Sequence, residues 1–358
     1  MHQTVAKYDA IGNDIELMYR ILSEKYKCFV YAINRFNKQV EYTEKEDLPA
    51  LLEDAETTVI YHHSVYWEEG FGLVKKAKGK VVFRYHNITP EGFFEDYDSF
   101  AYHQCRAGRD QTAELQSEFP EALWLVDSPY NAEDLTKVNP QRIGICPPFN
   151  KIGEWGIKKP DEKILKELVE SSDLNILFVG RVAPNKGHLM LLETVRYYCA
   201  AYGSDIKLRI VGKFDEALSG YNDLIRQTIS EYGLEDAVEF IGEIDDNKLI
   251  SYYLGSDFFV CCSEHEGFCV PIVEAQRFGL PTISLNMCAV PDTVGEGGMI
   301  LSKDPRLFAA ALKVLKDNRD MRDHLRKKGF DNYNGRYTFE RIQELFLSEM
   351  NRLLGTEI

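Results

Sequence analysis

Apolar runs of strand length alternate along this chain with segments whose apolar residues recur every three to four positions, and that alternation sets the fold class. Strand-type runs occupy residues 57–63 and 80–90, and the run at 125–131 passes from a strand into a capped helix. Four more follow at 175–181, 207–212, 238–242 and 257–262. Helical periodicity lies at 189–200, 221–232, 248–254 and 338–354, with earlier helices predicted after a Gly-Asn-Asp turn at 12–14 and from 107–111. Residues 1–5 form a very short strand candidate. Strand and helix in repetition predict the α/β class, with parallel sheets covered on both faces and ligands at the carboxyl ends of the strands. A Pro/Gly cluster at 146–156 interrupts the alternation and predicts a boundary. The expected domains are 1–150 and 151–337, followed by a terminal helical segment over 338–358. A chain of 358 residues exceeds one ordinary core, and each half is long enough to bury its own sheet.

The richest stretch is 263–275. An apolar strand at 257–262 precedes it, and Pro271 sits where a first helical residue would, so the segment reads as strand, loop, helix. Gly267 lets backbone approach a ligand, and the helix-start N–H groups around Cys269 to Val273 suit an anion such as a diphosphate. Glu266 and Glu274, eight positions apart, could hold different hydroxyl pairs of one extended ligand. Two acidic residues near a helix start also serve as ordinary dipole partners. A second strand, 175–180, runs into Arg181 and then Lys186; a planar fork and a point charge five residues apart fit a phosphate clamp, with surface salt bridging as the plainer reading. His62, His63 and His86 end two strands of the first half, where a lone histidine is commonly a hydrogen-bonded structural residue.

Glu266-Gly267-Phe268, the Pro-Ile-Val-Glu-Ala of 271–275 and the Phe-Gly-Leu-Pro-Thr-Ile of 278–283 together resemble the E-x7-E signature of the family-four retaining glycosyltransferases. Gly180-Arg181 with Lys186-Gly187 resembles the same family's diphosphate element, and Asp9-Ala10 with Asn13-Asp14 is similar to the opening of a bacterial polysaccharide branch, the O-antigen mannosyltransferase-like members. The resemblance implies the GT-B fold, two Rossmann-like parallel-sheet domains facing a cleft, with the acceptor in the first domain and the donor in the second. The terminal helix would cross back onto the first domain. It implies transfer of a hexose from a nucleotide-diphosphate sugar, GDP-mannose favoured and a UDP-hexose next, with anomeric configuration kept. The acceptor would be a hydroxyl of a glycan or lipid-linked glycan in cell-surface polysaccharide synthesis. In that frame Glu266, His86, Arg181 and Lys186 are the catalytic group. Gly12, Gly180, Gly212, Ile241, Gly267, Phe268, Cys269, Val270 and Glu274 join Arg181, Lys186 and Glu266 in binding the donor, Glu274 on the ribose. His62, His63, Asn13 and Asp14 face the acceptor. No cofactor is implied beyond the donor, and the chemistry is metal-independent. A GT-B sugar-nucleotide epimerase or phosphorylase, or a non-catalytic nucleotide-sugar-binding partner subunit, is the alternative. Two departures stand out. Gly212-Lys213-Phe214 replaces the commoner Gly-x-Gly, leaving the base open. Cys269 replaces a glycine, and ordinary helix-start dihedrals are expected for it.

A net charge of −15 without a basic arm opposes nucleic-acid binding. Lys75, Lys76, Lys78 and Lys80, and the stretch 319–328, offer a peripheral contact to anionic lipid, although solvated faces explain them more simply. No apolar run reaches the ~18 residues of a membrane span, so a cytoplasmic protein, at most touching the inner membrane face, is expected. The eight cysteines are irregularly spaced, as reduced thiols would be. Cys261, Cys262 and Cys269 carry no sequence set for zinc, and Asp96 and Asp98 lie in a Tyr/Phe-rich loop, so no metal is expected.

Overall fold

A computed structural model describes residues 1–6 and 9–355 and divides the chain into two units. The first comprises Met1–Gly92, Phe100–Lys151 and Phe339–Ile358, and the second Phe93–Ser99 and Ile152–Thr338. The last three residues of the terminal segment lie outside the described ones. Nothing in the sequence pattern signals that 93–99 counts with the second unit; the structure gives the reason, because Tyr97 sets its ring edge-on to Tyr221 at 5.2 Å and Phe93 lies 6.4 Å from His265.

In the first unit, β1 (Thr4–Val5) and β2 (Asn34–Arg35) form a small parallel pair. The main sheet holds β3 (Val59–His63), β4 (Val81–Tyr85), β5 (Leu123–Val126) and β6 (Ile143–Ile145), all parallel and in sequence order. Side chains alternate between its faces. On one face Phe83 and Tyr85 join Tyr61, Trp67 and Trp124. On the other, Val82 and Leu125 pack with Leu17 and Met18 of helix Ala10–Leu22 and with Ile342, Phe346 and Met350 of helix Phe339–Leu354. The helix expected to open at 107–111 instead opens at Ser99 and runs to Glu118. Its buried face begins only at Gly108, so the first two turns carry no apolar periodicity to read.

The second unit is a single parallel sheet of β7 (Leu174–Val179), β8 (Ile206–Val211), β9 (Val238–Gly242), β10 (Phe258–Cys261), β11 (Thr282–Leu285) and β12 (Gly298–Leu301). Its order is β12-β11-β10-β7-β8-β9. The chain therefore winds outward from β7 in one direction, returns, and winds outward from β10 in the other. β7 and β10 are the neighbours between which the winding reverses, and in such sheets the crevice beyond that pair is the natural ligand site. Leu177, Phe259, Cys261, Ile272 and Ala275 form the core beneath it.

Candidate active site

The segments leaving β7 and β10 meet through side chains. After β7 come Gly180 and Arg181, then the single turn Pro184–Lys186 and helix His188–Tyr202. After β10 comes a loop into helix Val270–Arg277. Asn185 ties the two together: its carbonyl accepts from Glu264 N–H at 2.8 Å, and its side-chain amide donates to the His265 carbonyl at 3.3 Å. Lys186 Nζ then donates to Glu266 Oε1 at 2.7 Å, in side chains 23% and 11% exposed. Burial pulls the Lys186 ammonium down, but Glu266 and the nearby Cys269 outweigh it, so its pKa is raised and it stays cationic. The loop is held from behind by Thr293, whose hydroxyl donates to the Phe268 carbonyl at 2.6 Å, and by Ala289 N–H on the Glu266 carbonyl at 3.3 Å. Arg181, half exposed, donates to Asp215 Oδ2 at 3.1 Å. Glu274 accepts from the buried Tyr253 hydroxyl at 2.5 Å, and burial, opposed by that hydrogen bond, raises its carboxyl to about 7. Gly180 and Gly212 follow β7 and β8, with N–H groups donating to Val211 and Gly242 carbonyls, and half-buried Ile241, the penultimate residue of β9, packs beside them. Gly267 lies in the loop and Val270 opens the helix.

Two expectations change here. Phe268 turns its ring into a core with Ile152, Val273, Tyr333 and Tyr337, so any ligand contact is left to its backbone. Cys269 does not take ordinary helix-start dihedrals: its φ is +77° and ψ +72°, the left-handed conformation that suits glycine and strains a residue with a β-carbon. The strained geometry aims its sulfur at Cys261, 3.9 Å away.

In the first unit the histidines belong to a buried polar cluster. Arg84 on β4 is fully buried, its Nε 2.9 Å from Asp14 Oδ2 and its Nη2 2.7 Å from Asp127 Oδ1, and it donates to the Cys146 carbonyl. His86, two residues on and just past the end of β4, places Nδ1 3.0 Å from Asp127 and Nε2 2.9 Å from His62 Nδ1. Burial pushes the His62 imidazole well below its ordinary range. Asp14, His62 and His86 bring ligand atoms within 4.8 Å of one another. Asp14 is fully buried and also accepts from Phe149 N–H, and His63 is fully buried with Nε2 2.8 Å from Thr112 Oγ1 and burial lowering it to about 3. Both were expected to face the acceptor; the structure commits them to the interior instead, because the helix and strand that carry them point these positions inward. Asn13 is half-buried on the same helix. At Gly12 a β-carbon would come within 1.9 Å of the Ala6 carbonyl, so packing alone already requires a glycine there.

Residues 160–331 match the family described as "Glycosyl transferases group 1". The second unit belongs to this family. Among curated relatives, this chain is similar to "GDP-mannose:cellobiosyl-diphosphopolyprenol alpha-mannosyltransferase" of Xanthomonas campestris, 30% identical over 201 residues, 54% of this chain and 51% of the relative. It is also similar to "O-antigen chain mannosyltransferase B" of Escherichia coli, 27% identical over 40% of this chain and 37% of the relative. The chain thus spans about half or less of the length of these relatives. The structure of Anabaena Alr3699/HepE in complex with UDP and glucose covers 98% of both chains with a TM-score of 0.77 at 12% identity. That likeness establishes the GT-B fold, with its two Rossmann-like parallel-sheet domains.

Within this group 1 glycosyltransferase unit, sequence reading missed three partners that shape the site: Asp215 beside Arg181, Tyr253 beneath Glu274, and Cys261 opposite Cys269. In the first unit it missed Arg84 and Asp127. Asp127 was legible in principle, since Tyr85 pairs with Val126 and the next residue on each strand is His86 and Asp127. Tyr253 and Cys261 lie in apolar patterns that read simply as core.

Proposed function

We propose that the protein is a retaining glycosyltransferase that moves a hexose from a nucleotide-diphosphate sugar to a hydroxyl of a glycan or lipid-linked glycan. The carrying observation is the Lys186–Glu266 pair at the β7/β10 switch point: it unites a cation suited to a departing phosphate and a carboxylate suited to a sugar ring in one spot. As the glycosidic bond breaks, negative charge grows on the diphosphate. Arg181, Lys186 and the amide dipoles at the start of helix Val270–Arg277 meet that charge, which stabilises the transition state more than the ground state. Glu266 holds sugar hydroxyls and the developing positive ring, while Glu274 accepts from the ribose diol. In the first unit His86, oriented by Asp127, joins the catalytic group as the family resemblance implies, and His62 and Asn13 serve the acceptor. The cationic side chains supply the charge for which other enzymes recruit a metal, so the reaction is metal-independent.

GDP-mannose is the favoured donor, with UDP-hexose next, and a cell-surface polysaccharide the destination. The names of the two mannosyltransferase relatives support this choice. The test is a thermal-shift screen with GDP, UDP, dTDP and ADP, since a ligand that binds only the native form raises its melting temperature, by about 2.7 kcal/mol of stability at a hundred times Kd. GDP should give the largest shift, and Lys186→Ala should lower kcat for GDP-mannose by about a hundredfold, the scale seen when one transition-state donor is removed. A protein shifted by none of the four nucleotides would overturn the reading.

A further inference from the structure

Cys261 ends β10 and Cys269 stands at the start of the following helix, yet folding brings their sulfurs to 3.9 Å, and a carboxylate oxygen of Glu266 lies within 4.8 Å of both. That separation is nearly twice a disulfide bond of about 2.05 Å. It matches instead the edge of a tetrahedron built on zinc–sulfur bonds of about 2.3 Å, which spans roughly 3.8 Å. Both sulfurs sit among Phe259, Ile272 and Ala275, in an apolar shell that weakens competition from water. Charge also balances. Two thiolates and one carboxylate against a divalent cation and the Lys186 ammonium leave no net charge in the pocket. The backbone gives an independent sign: Cys269 occupies a left-handed conformation that a glycine would adopt without strain, and strain retained beside a reactive site points to a use for the side chain held there.

The geometry points to a binding site for one thiophilic divalent cation of the zinc class, with Cys261 Sγ, Cys269 Sγ and a Glu266 oxygen as protein ligands and the fourth position open. Binding exchanges two thiol protons for the metal, M²⁺ + 2 RSH giving M(SR)₂ + 2 H⁺. Lys186, already bonded to Glu266 Oε1, becomes the outer partner that orients the carboxylate. The cation draws Glu266 out of the service of the sugar, so it inhibits transfer reversibly; this consequence rests on the function proposed above, whereas the binding itself does not.

The full chain, kept reduced, is titrated with cadmium while the ultraviolet thiolate-to-cadmium band is followed, and with zinc in competition with a chromogenic chelator. Wild type should take up one equivalent with the band. Cys261→Ala and Cys269→Gly should each lose the band and bind at least about tenfold more weakly, as expected when a ligand is removed. Retention of the same equivalent and band by both variants overturns the site. A wild-type measurement guards against variants that fold poorly: zinc should protect Cys261 and Cys269 from alkylation, read by peptide mapping, and equal labelling with and without zinc overturns the site as well. Zinc should lower turnover in wild type and a chelator restore it. Binding without loss of turnover overturns the inhibitory role and with it the placement of Glu266 on the sugar, while leaving the metal site standing.

Discussion

At single residues the site is governed by two departures from ordinary chemistry. Glu274 has its carboxyl raised by burial to about 7 from an ordinary 4.5. The native state therefore keeps a proton that the unfolded chain releases, and this group's contribution to stability is largest below about pH 4.5 and is lost as pH climbs towards 7. In the proposed function binding runs the opposite way, because only an ionised Glu274 would accept from both ribose hydroxyls. Nucleotide affinity measured calorimetrically should rise several-fold between about pH 6 and about pH 8, and Glu274→Gln should flatten that slope. A slope of unchanged size in the variant would remove Glu274 from the ribose. Cys269 carries the second departure. Deleting its thiol by Ala or by Gly takes away the same sulfur contacts, but only Gly relieves a φ of +77°. In urea unfolding, Cys269→Gly should exceed Cys269→Ala in stability by about 1 kcal/mol, the cost of a β-carbon in the left-handed region. Equal stabilities would mean that the surroundings have relaxed the strain.

At the level of elements, the turn Pro184–Lys186 decides where the lysine stands, and Gly187 decides the turn. Gly187 has φ +71°, and a β-carbon there would lie 2.0 Å from the carbonyl of Cys262, the residue just after β10. Gly187→Ala should push the turn off that strand, lowering stability by at least about 2 kcal/mol and weakening nucleotide binding with it. A variant with wild-type melting temperature and affinity would show that the turn tolerates displacement. This dependence marks what the sequence could tell. The strands were legible because buried parallel strands are written as continuous apolar runs, and β7, β8, β9 and β10 all lie within a residue or two of the pattern. Lys186 and Glu266 were legible because each sits in a motif with its own flanks. Their direct contact was not, since it depends on Asn185 bridging two loops that are 80 residues apart. Nor was the burial of Asp14 and His63: a polar residue inside a strand or helix reads as exposed until its partner, here Arg84 or Thr112, is known from three-dimensional packing.

Over the whole molecule, chemistry is divided unevenly between the units. Arg181, Lys186, Glu266 and Glu274 all belong to the second, and they lie on segments that leave neighbouring strands of one sheet. The first unit invests its polar groups differently, in a buried set of Arg84, Asp14, Asp127 and two histidines, where removing the cation would leave buried carboxylates uncompensated at a cost of about 3–5 kcal/mol. Local opening free energies differ between such regions: loops with few apolar contacts exchange amide hydrogens readily, while core strands open only with the whole domain. A nucleotide that binds as proposed should therefore slow hydrogen exchange mainly in the loops following β7, β8 and β10, and in the first turn of helix Val270–Arg277. The strands themselves should change little, being protected already. Peptides from 263–273 and 180–188 are the ones to follow by mass spectrometry with and without GDP. Protection confined to residues 1–92 and 100–151 would move the nucleotide to the other unit, and the assignment of Arg181 and Lys186 to the diphosphate would fall with that result.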